Sequence, residues 1–367
     1  MRREIDDIDS RMLDLLSRRR DLVDQVTQNK LKEKIPVYVS AREDEKVKRF
    51  RDQAVEKGLD PEWAEDFLRM IFGSSRARQS DSTFPMAGDS PKTILYVGGD
   101  GGMGRLYQTM STRSGHHVRC LDKNDWDRAD ELIRGADAVI ITVPINHTAN
   151  VIRKIGPMLS KDQILADFTS LKSAYLNLMQ EYHDGPVLGL HPMHGPDVPN
   201  LSKQVMIVCE GEHSKSTKWL LDQFRLWGMR IKKVNAEQHD RSMHLIQGLR
   251  HFIALLHGSF MNRHDLRPED MLDFSSPIYR AELMMTGRIF AQDAELYADI
   301  VLSDEERTSL LSDFLEHHKA LSDMISGGDK EAFIKEFEEV SDFFGNFAPQ
   351  ALKESGYLIN RLADRFG

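Results

Sequence analysis

Along the opening segment of the chain, Ile5, Ile8, Met12, Leu15, Leu16, Leu22, Val23 and Val26 recur at helical spacing with no proline or glycine between them. The spacing predicts one helix over about residues 2–34, which at ~1.5 Å per residue is about 45 Å long. Pro36 stops it, and two more amphipathic stretches, about 41–57 and 61–77, are set apart by Gly58 and Pro61. The opening 1–80 segment therefore reads as an all-α, three-helix module whose first helix outruns the others. Two short companions cannot cover so long an apolar stripe, which predicts pairing with a second copy of the chain.

RQSDSTFPMAGDSPK (78–92) is polar, holds two prolines and a glycine, and reads as a linker over 81–92. Beyond it the pattern changes to short apolar runs, TILYVGG, HVRCLD, ADAVIITV, QILADF, PVLGLH, VMIVCEG and RIKKVN, with helical stretches between most of them. Such alternation predicts an α/β domain over 93–235 built on a mostly parallel, doubly wound sheet. From 236 to 367 strand signal is scarce, and stretches such as HDRSMHLIQGLRHFIALLHGSF are helical, which predicts an all-α domain for substrate binding and dimerisation.

Composition narrows the function. A net charge of −9, with no basic stripe interleaved with aromatics, argues against nucleic-acid partners. No apolar run approaches the roughly 18 residues that span a membrane, and MRREIDDIDS is charged rather than signal-like, so a cytoplasmic protein without a membrane partner is expected. Cys120 and Cys209 lie inside apolar runs and are expected to be buried structural thiols, neither disulfide-bonded nor metal ligands.

Gly99, Gly101 and Gly104 in VGGDGGMG (97–104) fit G-x-G-x-x-G after a strand and at a helix start, the Rossmann-like arrangement for a dinucleotide. The first is expected to make the tight turn, the second to admit the pyrophosphate, and the third to let helix and strand pack, with Gly102 and Met103 completing the loop. Asp122, 18 residues past Gly104, ends the second strand where a carboxylate accepts from a ribose 2′-hydroxyl and repels a 2′-phosphate, which favours NAD over NADP. His191 closes the strand PVLGLH, at the end of the sheet where such folds bind ligands, and is the candidate base. Ser170 and Lys172 follow the preceding strand, and Arg280 and Arg288 offer guanidinium forks for an anionic substrate. His116, His117, His213, His317 and His318 read as solvated.

In the helical module Arg19 and Lys30 are 11 residues apart, so both face one side of the helix to within about 20°. Arg2 lies about 25 Å back along it and reaches such a pocket only from an antiparallel second copy. Arg42 and Glu43 open the next helix, and Ser75 and Gln79 close the third. A solvated amphipathic surface is the alternative for all of these charges.

R-x-x-I-D-x-x-D, Arg19, Lys30 and Arg42-Glu43 resemble the all-helical chorismate mutases. VGGDGGMGRL, VLGLHPMHGPD and SSPIYRAELMMTGRIFAQDAELYADI are similar to prephenate dehydrogenase. In this order they resemble the bifunctional T-proteins of tyrosine biosynthesis, over nearly the whole chain. The resemblance implies that Arg19, Lys30, Arg42 and a partner's Arg2 hold the two carboxylates of chorismate. It further implies that Lys30 and Gln79 donate to the ether oxygen, and that Glu43, with Ser75 nearby, accepts from the ring hydroxyl. For prephenate it implies His191 on the 4-hydroxyl, Ser170 orienting that hydroxyl or the nicotinamide, Lys172 supporting the loop, Arg288 on a carboxylate with Arg280 as a second candidate, and NAD taking the hydride. Family members are inhibited by tyrosine, and His251 matches a position implicated in sensing it. His194 stands where relatives usually carry phenylalanine, and Val39 where some mutases carry aspartate. Two other readings stand beside this one: a monofunctional dehydrogenase whose helical segment only dimerises or regulates, and a redox-sensing NAD-binding scaffold.

Overall fold

The computed structural model describes residues 1–36, 38–80 and 83–366. Its first helix, α1 (Arg2–Lys32), runs 31 residues and ends where Lys34 takes a left-handed φ of 52° ahead of Pro36. Helix α2 (Ser40–Glu56) terminates on Gly58, φ 70°, with Gly58 N–H donating to Val55 O and Leu59 N–H to Ala54 O, a Schellman ending that only glycine makes without strain. Asp60 then caps α3 (Pro61–Ser80), its Oδ1 accepting from Glu62 N–H at 2.9 Å, and Pro61 has no N–H to leave unpaired. Val47, Leu68 and Phe72, with Phe50 against them, form the small core of this module. Most of the apolar stripe of α1 stays outside it: Ile5, Ile8, Met12, Leu15, Leu22 and Val26 are exposed, at steps of three and four residues that pass through Arg19.

The stretch after Ser82 is no loose linker. Asp81 and Ser82 lie outside the described residues, but Phe84 and Ala87 are buried, and Phe84 packs into the core of the sheet domain. Buried Gln223 fastens the segment, its Nε2 donating to Pro85 O (3.1 Å) and its Oε1 accepting from Ala87 N–H (2.8 Å). His116 is also buried, correcting its reading as solvated. Its Nδ1 accepts from Lys92 N–H at 3.1 Å, so Nε2 carries the proton and donates to Gln223 Oε1 at 2.8 Å.

Seven strands form one sheet in the order β2-β1-β3-β4-β5-β6-β7. They are β1 (Thr93–Val97), β2 (His117–Leu121), β3 (Ala138–Ile141), β4 (Ile164–Asp167), β5 (Val187–Pro192), β6 (Val205–Glu210) and β7 (Arg230–Lys233). All neighbours are parallel except β5 and β6, which pair antiparallel with His191 opposite Ile207. Helices α4 (Gly102–Arg113), α5 (Ala129–Ile133), α6 (Ile145–Ile155), α7 (Ser173–Tyr182) and α8 (Lys218–Leu226) cover the sheet. Ile94, Tyr96, Ile140 and Leu190 point to one buried face and Leu95, Val97, Val139 and Leu165 to the other. Covering both faces is why the central strands read as unbroken apolar runs. The chain order reverses between β1 and β3, which opens a crevice at the carboxyl ends of the strands.

A second compact unit, Asp240–Gly367, is helical. Helix α9 (Ala236–Met243) leads into a π turn at His244–Leu249, followed by α10 (Arg250–Arg263), α11 (Pro268–Asp273), α12 (Pro277–Phe290), α13 (Ala294–Val301), α14 (Glu305–Ser326), α15 (Lys330–Phe344) and α16 (Phe347–Phe366). Arg307 is wholly buried against that turn: a Cβ on Gly248 would lie 2.7 Å from its Cδ, and Arg307 donates to Ile300 O. Among the described residues no helix is long and apolar enough to cross a membrane.

Candidate active sites

In the helical module the three helices bring long cations to one place. Arg19, from α1, donates through Nη1 to Ser75 Oγ on α3 at 3.0 Å, and the Ser75 hydroxyl in turn donates to Ile71 O at 2.9 Å. The Arg19 guanidinium and the Lys46 ammonium, from α2, both lie 5.9 Å from the centroid of the Phe72 ring on α3. Buried Gln79 donates to Thr27 Oγ1 at 2.8 Å, one turn before Lys30, whose Nζ reaches Pro36 O at 3.3 Å. Burial pushes the Lys30 ammonium below its ordinary pKa, with Arg42 adding to the effect and Glu43 opposing it. Lys46 is lowered too, by burial and then by Arg19, Arg42 and Arg49. Several cations drawn together from different helices, with Lys30 partly buried among them, make a pocket suited to an anion. Arg19, Lys30, Arg42, Glu43, Ser75 and Gln79 are thus gathered. Arg2, at the exposed far end of α1, is not part of this pocket in its own chain. A groove of about 830 Å³ beside the pocket is lined by Leu16, Arg19, Val23, Ile71, Ser75 and Pro199. The spacing argument missed Lys46 and Arg76, since neither shares a helix face with Arg19 or Lys30; Arg76 pairs with Glu43 across 33 residues of sequence.

The second site lies at the carboxyl ends of β1, β4 and β5. The tight turn after β1 is made by Gly98, φ 78°, and not by Gly99 as the motif suggested. Gly99 is needed for a different reason: a Cβ there would sit 2.6 Å from Cys120 Sγ and 2.5 Å from Gln108 Nε2. Gly104 packs on Gly99 itself, with 2.7 Å from its would-be Cβ to Gly99 Cα. Gly101 precedes α4, which opens at Gly102 and Met103 with no side-chain cap, so backbone N–H groups and the helix dipole present an anion site of the kind a pyrophosphate uses. Asp122 follows β2 directly, its Oδ2 accepting from Asp100 N–H at 3.2 Å and its Oδ1 from Lys123 N–H at 2.8 Å. Cys120 is half-buried rather than buried, while Cys209 is buried as expected. Burial, then Asp100 and Asp122, push the Cys120 thiol up, so it stays protonated among these acids.

His191 is buried near the end of β5, and its Nδ1 lies 2.8 Å from Nε2 of His239 on α9, also buried. His239 carried no signal in the sequence; the contact exists only because α9 returns to the sheet 48 residues later. The strand then leads into a loop that meets the glycine turn, where a Cβ on Gly102 would lie 2.9 Å from Pro196 Cγ. His194 does not turn toward His191: its Nδ1 donates to Gly195 O (2.9 Å), so Nε2 accepts from the hydroxyl of Tyr107 on α4 (3.1 Å). Burial lowers the His194 pKa, keeping the ring neutral.

Lys172 requires a correction. It is wholly buried, its ammonium 2.5 Å from Asp167 Oδ2, 2.9 Å from Leu190 O and 3.3 Å from Thr169 Oγ1, while its stem passes 2.9 Å from where a Gly189 Cβ would stand. It fastens the ends of β4 and β5 beneath His191 and is a positioning group, not one that meets substrate. Half-buried Ser170 occupies the turn above it. In the second unit Arg280 and exposed Arg288 both project from α12. His251, on α10, is buried with its ring 4.8 Å from that of Tyr297. Burial, then Arg250 and Arg307, lower its pKa to about 4.

Fold and sites together define a two-part enzyme, a helical module with a cationic pocket ahead of a nucleotide-binding dehydrogenase fold. Residues 1–80 match the family Chorismate mutase type II, residues 105–236 match the nucleotide-binding domain of prephenate dehydrogenase, and residues 235–339 match its dimerization domain. The T-protein of Enterobacter agglomerans is 40% identical over 364 residues, 99% of this chain and 97% of the relative. The T-protein of Haemophilus influenzae is 37% identical over the same shares. Prephenate dehydrogenase from A. aeolicus, solved with hydroxyphenyl propionate and NAD+, shares the fold at a TM-score of 0.57 and 18% identity, over 69% of this chain and 97% of that one. The chain belongs to the T-protein family. It is a bifunctional chorismate mutase and prephenate dehydrogenase, so the opening module is not merely a dimerisation or regulatory segment.

Proposed function

We propose that the dehydrogenase half uses NAD to oxidise and decarboxylate prephenate to 4-hydroxyphenylpyruvate, with His191 as the base. NAD, when bound, supplies the hydride acceptor; the uncapped start of α4 suits its pyrophosphate and Asp122 its ribose hydroxyls. The contact of His191 Nδ1 with His239 carries the reading, because it orients the imidazole to take the 4-hydroxyl proton through Nε2. As that proton leaves, the C4 hydride departs, the carboxylate-bearing bond breaks to release carbon dioxide, and its electron pair makes the ring aromatic. Ser170 orients the hydroxyl or the nicotinamide, and Arg288, seconded by Arg280, takes a carboxylate.

In the mutase pocket Arg19, Lys30 and Arg42, joined by Arg2 of a second copy, hold the compact conformer of chorismate. Lys30 and Gln79 stabilise the charge that grows on the ether oxygen, Lys46 extends the cationic wall, and Glu43 accepts from the ring hydroxyl. The enzyme acts as a homodimer in the cytoplasm, the exposed stripe of α1 being one surface for the second copy. Tyrosine inhibits it through His251.

His191→Asn tests the base: prephenate oxidation should fall by ~10²–10⁴, with chorismate turnover and NAD affinity retained. Unchanged oxidation would refute the assignment. The regulatory part is read by tyrosine titration of His251→Asn, whose inhibition should weaken while uninhibited rates persist.

A further inference from the structure

The acid of the mutase pocket is not held by the mutase module alone. Glu43, largely buried, pairs with Arg76 on α3 and, through Oε2, with the ammonium of Lys203 at 3.4 Å. Lys203 belongs to the dehydrogenase half, in the loop that joins β5 to β6. The same ammonium lies 4.9 Å from the ring centroid of Tyr38, in the α1–α2 connection, with the Arg76 guanidinium 5.9 Å from that centroid.

The loop is built to present this lysine. Lys203 takes a φ of 70°, which a residue with a side chain adopts only where its surroundings hold it. Its N–H donates to Gly228 O at 2.9 Å, and Leu201 and Ser202 beside it are buried. Gly228, φ 87°, leaves room on both sides: a Cβ there would meet Ser202 Oγ at 3.0 Å and Tyr38 Cβ at 3.1 Å. One turn of the dehydrogenase thus seats the lysine and the aromatic ring beneath it. Pro199, from the same loop, lines the groove with Arg19 and Ser75.

Charge gives the contact a purpose. Among Arg19, Lys30, Arg42 and Lys46, a mobile carboxylate would settle on the cations and cancel the field meant for a dianionic substrate. Glu43 already acts on Lys30 through space. We propose that Lys203 is a positioning residue for chorismate rearrangement, contributed by the dehydrogenase half, which holds Glu43 at the place of the ring hydroxyl and away from Lys30 and Arg42. This rests on the reading of Glu43 as the hydroxyl acceptor.

The test uses the full chain, with chorismate consumption and prephenate oxidation assayed separately in Lys203→Ala, Lys203→Arg, Glu43→Gln and the double variant of Lys203→Ala with Glu43→Gln. Lys203→Ala should raise the KM for chorismate about fivefold with kcat nearly unchanged, as loss of one partly exposed ion pair implies. Arginine should restore it, and prephenate oxidation and Tm should stay put. In the Glu43→Gln background the lysine change should add nothing, since the two act as one unit. An unaltered chorismate KM in Lys203→Ala, beside an impaired Glu43→Gln, overturns the role of the lysine alone. Full activity in Glu43→Gln overturns the hydroxyl-acceptor reading and the proposal with it. Parallel loss of both activities and of Tm in Lys203→Ala assigns the residue to folding instead, which also overturns the proposal.

Discussion

The sites proposed for the two halves of the chain are built in opposite ways. The mutase pocket is made of long charged side chains reaching from helices over a core of little more than Val47, Leu68 and Phe72. The dehydrogenase site is made of backbone: glycines that let β1, α4 and the loop after β5 touch, and a histidine fixed from behind by a second histidine. The difference follows the chemistry. A rearrangement with no external reagent needs a shaped electrostatic field, which flexible cations provide. A hydride transfer needs two molecules held in register, which strand ends and tight turns provide.

Lys30→Ala probes this contrast most severely. Chorismate turnover should fall by ~10²–10³, as for loss of a charge aimed at a developing oxyanion, while prephenate oxidation is untouched; equal losses in both assays would show that the halves are not independent in chemistry. Arg288→Ala should raise the KM for prephenate about tenfold or more, with a smaller change for NAD, as expected for a lost carboxylate clamp. Equal weakening toward both ligands would argue for a folding defect instead. The smallest expected effect is on stability. The mutase segment 1–80 contains no histidine, whereas burial lowers the pKa of His116, His183 and His194 in the sheet domain and brings that of His251 to about 4. Between those lowered values and the ordinary 6.5 the unfolded chain binds protons that the folded chain refuses, so stability is full above about pH 6.5 and declines as the pH falls from there. Tm should drop by a few degrees from pH 7 to pH 5, with hydrogen exchange quickening in the dehydrogenase half before the mutase helices. A flat or rising Tm would contradict it.

How much the sequence revealed differs between the halves for a related reason. Periodicity placed the three opening helices and all seven strands, because apolar side chains recur there at the spacing of the element, whether the fold covers them, as in β3 and β4, or leaves them exposed, as along α1. It did not show that β5 and β6 run antiparallel, since a strand's alternation looks the same in either direction. Motif spacing located Gly99, Gly101, Gly104 and Asp122 but assigned the turn to Gly99, whereas backbone direction puts it at Gly98. Lys172 stood beside Ser170 among the site candidates because its neutralising partner, Asp167, belongs to the strand before it and only the fold closes the pair. His116 was read as solvated, and His239, Lys46, Arg76 and Lys203 escaped notice, because each acquires meaning from a residue on another element. Single-helix arithmetic found Arg19 and Lys30, which share α1, and could find nothing that crosses between helices.

The strap from Thr83 to Lys92 bears on how these activities are ever to be prised apart. Its phenylalanine and alanine are stones in the wall of the oxidative half, mortared by Gln223. Excising that half at residue 90 would open a hole where Phe84 sat and strip Gln223 of its bonds to Pro85 and Ala87, so an expression fragment should start upstream of Thr83. What joins the two catalysts has been absorbed into one of them, and the seam of the fusion lies nearer the mutase than its polar composition suggests.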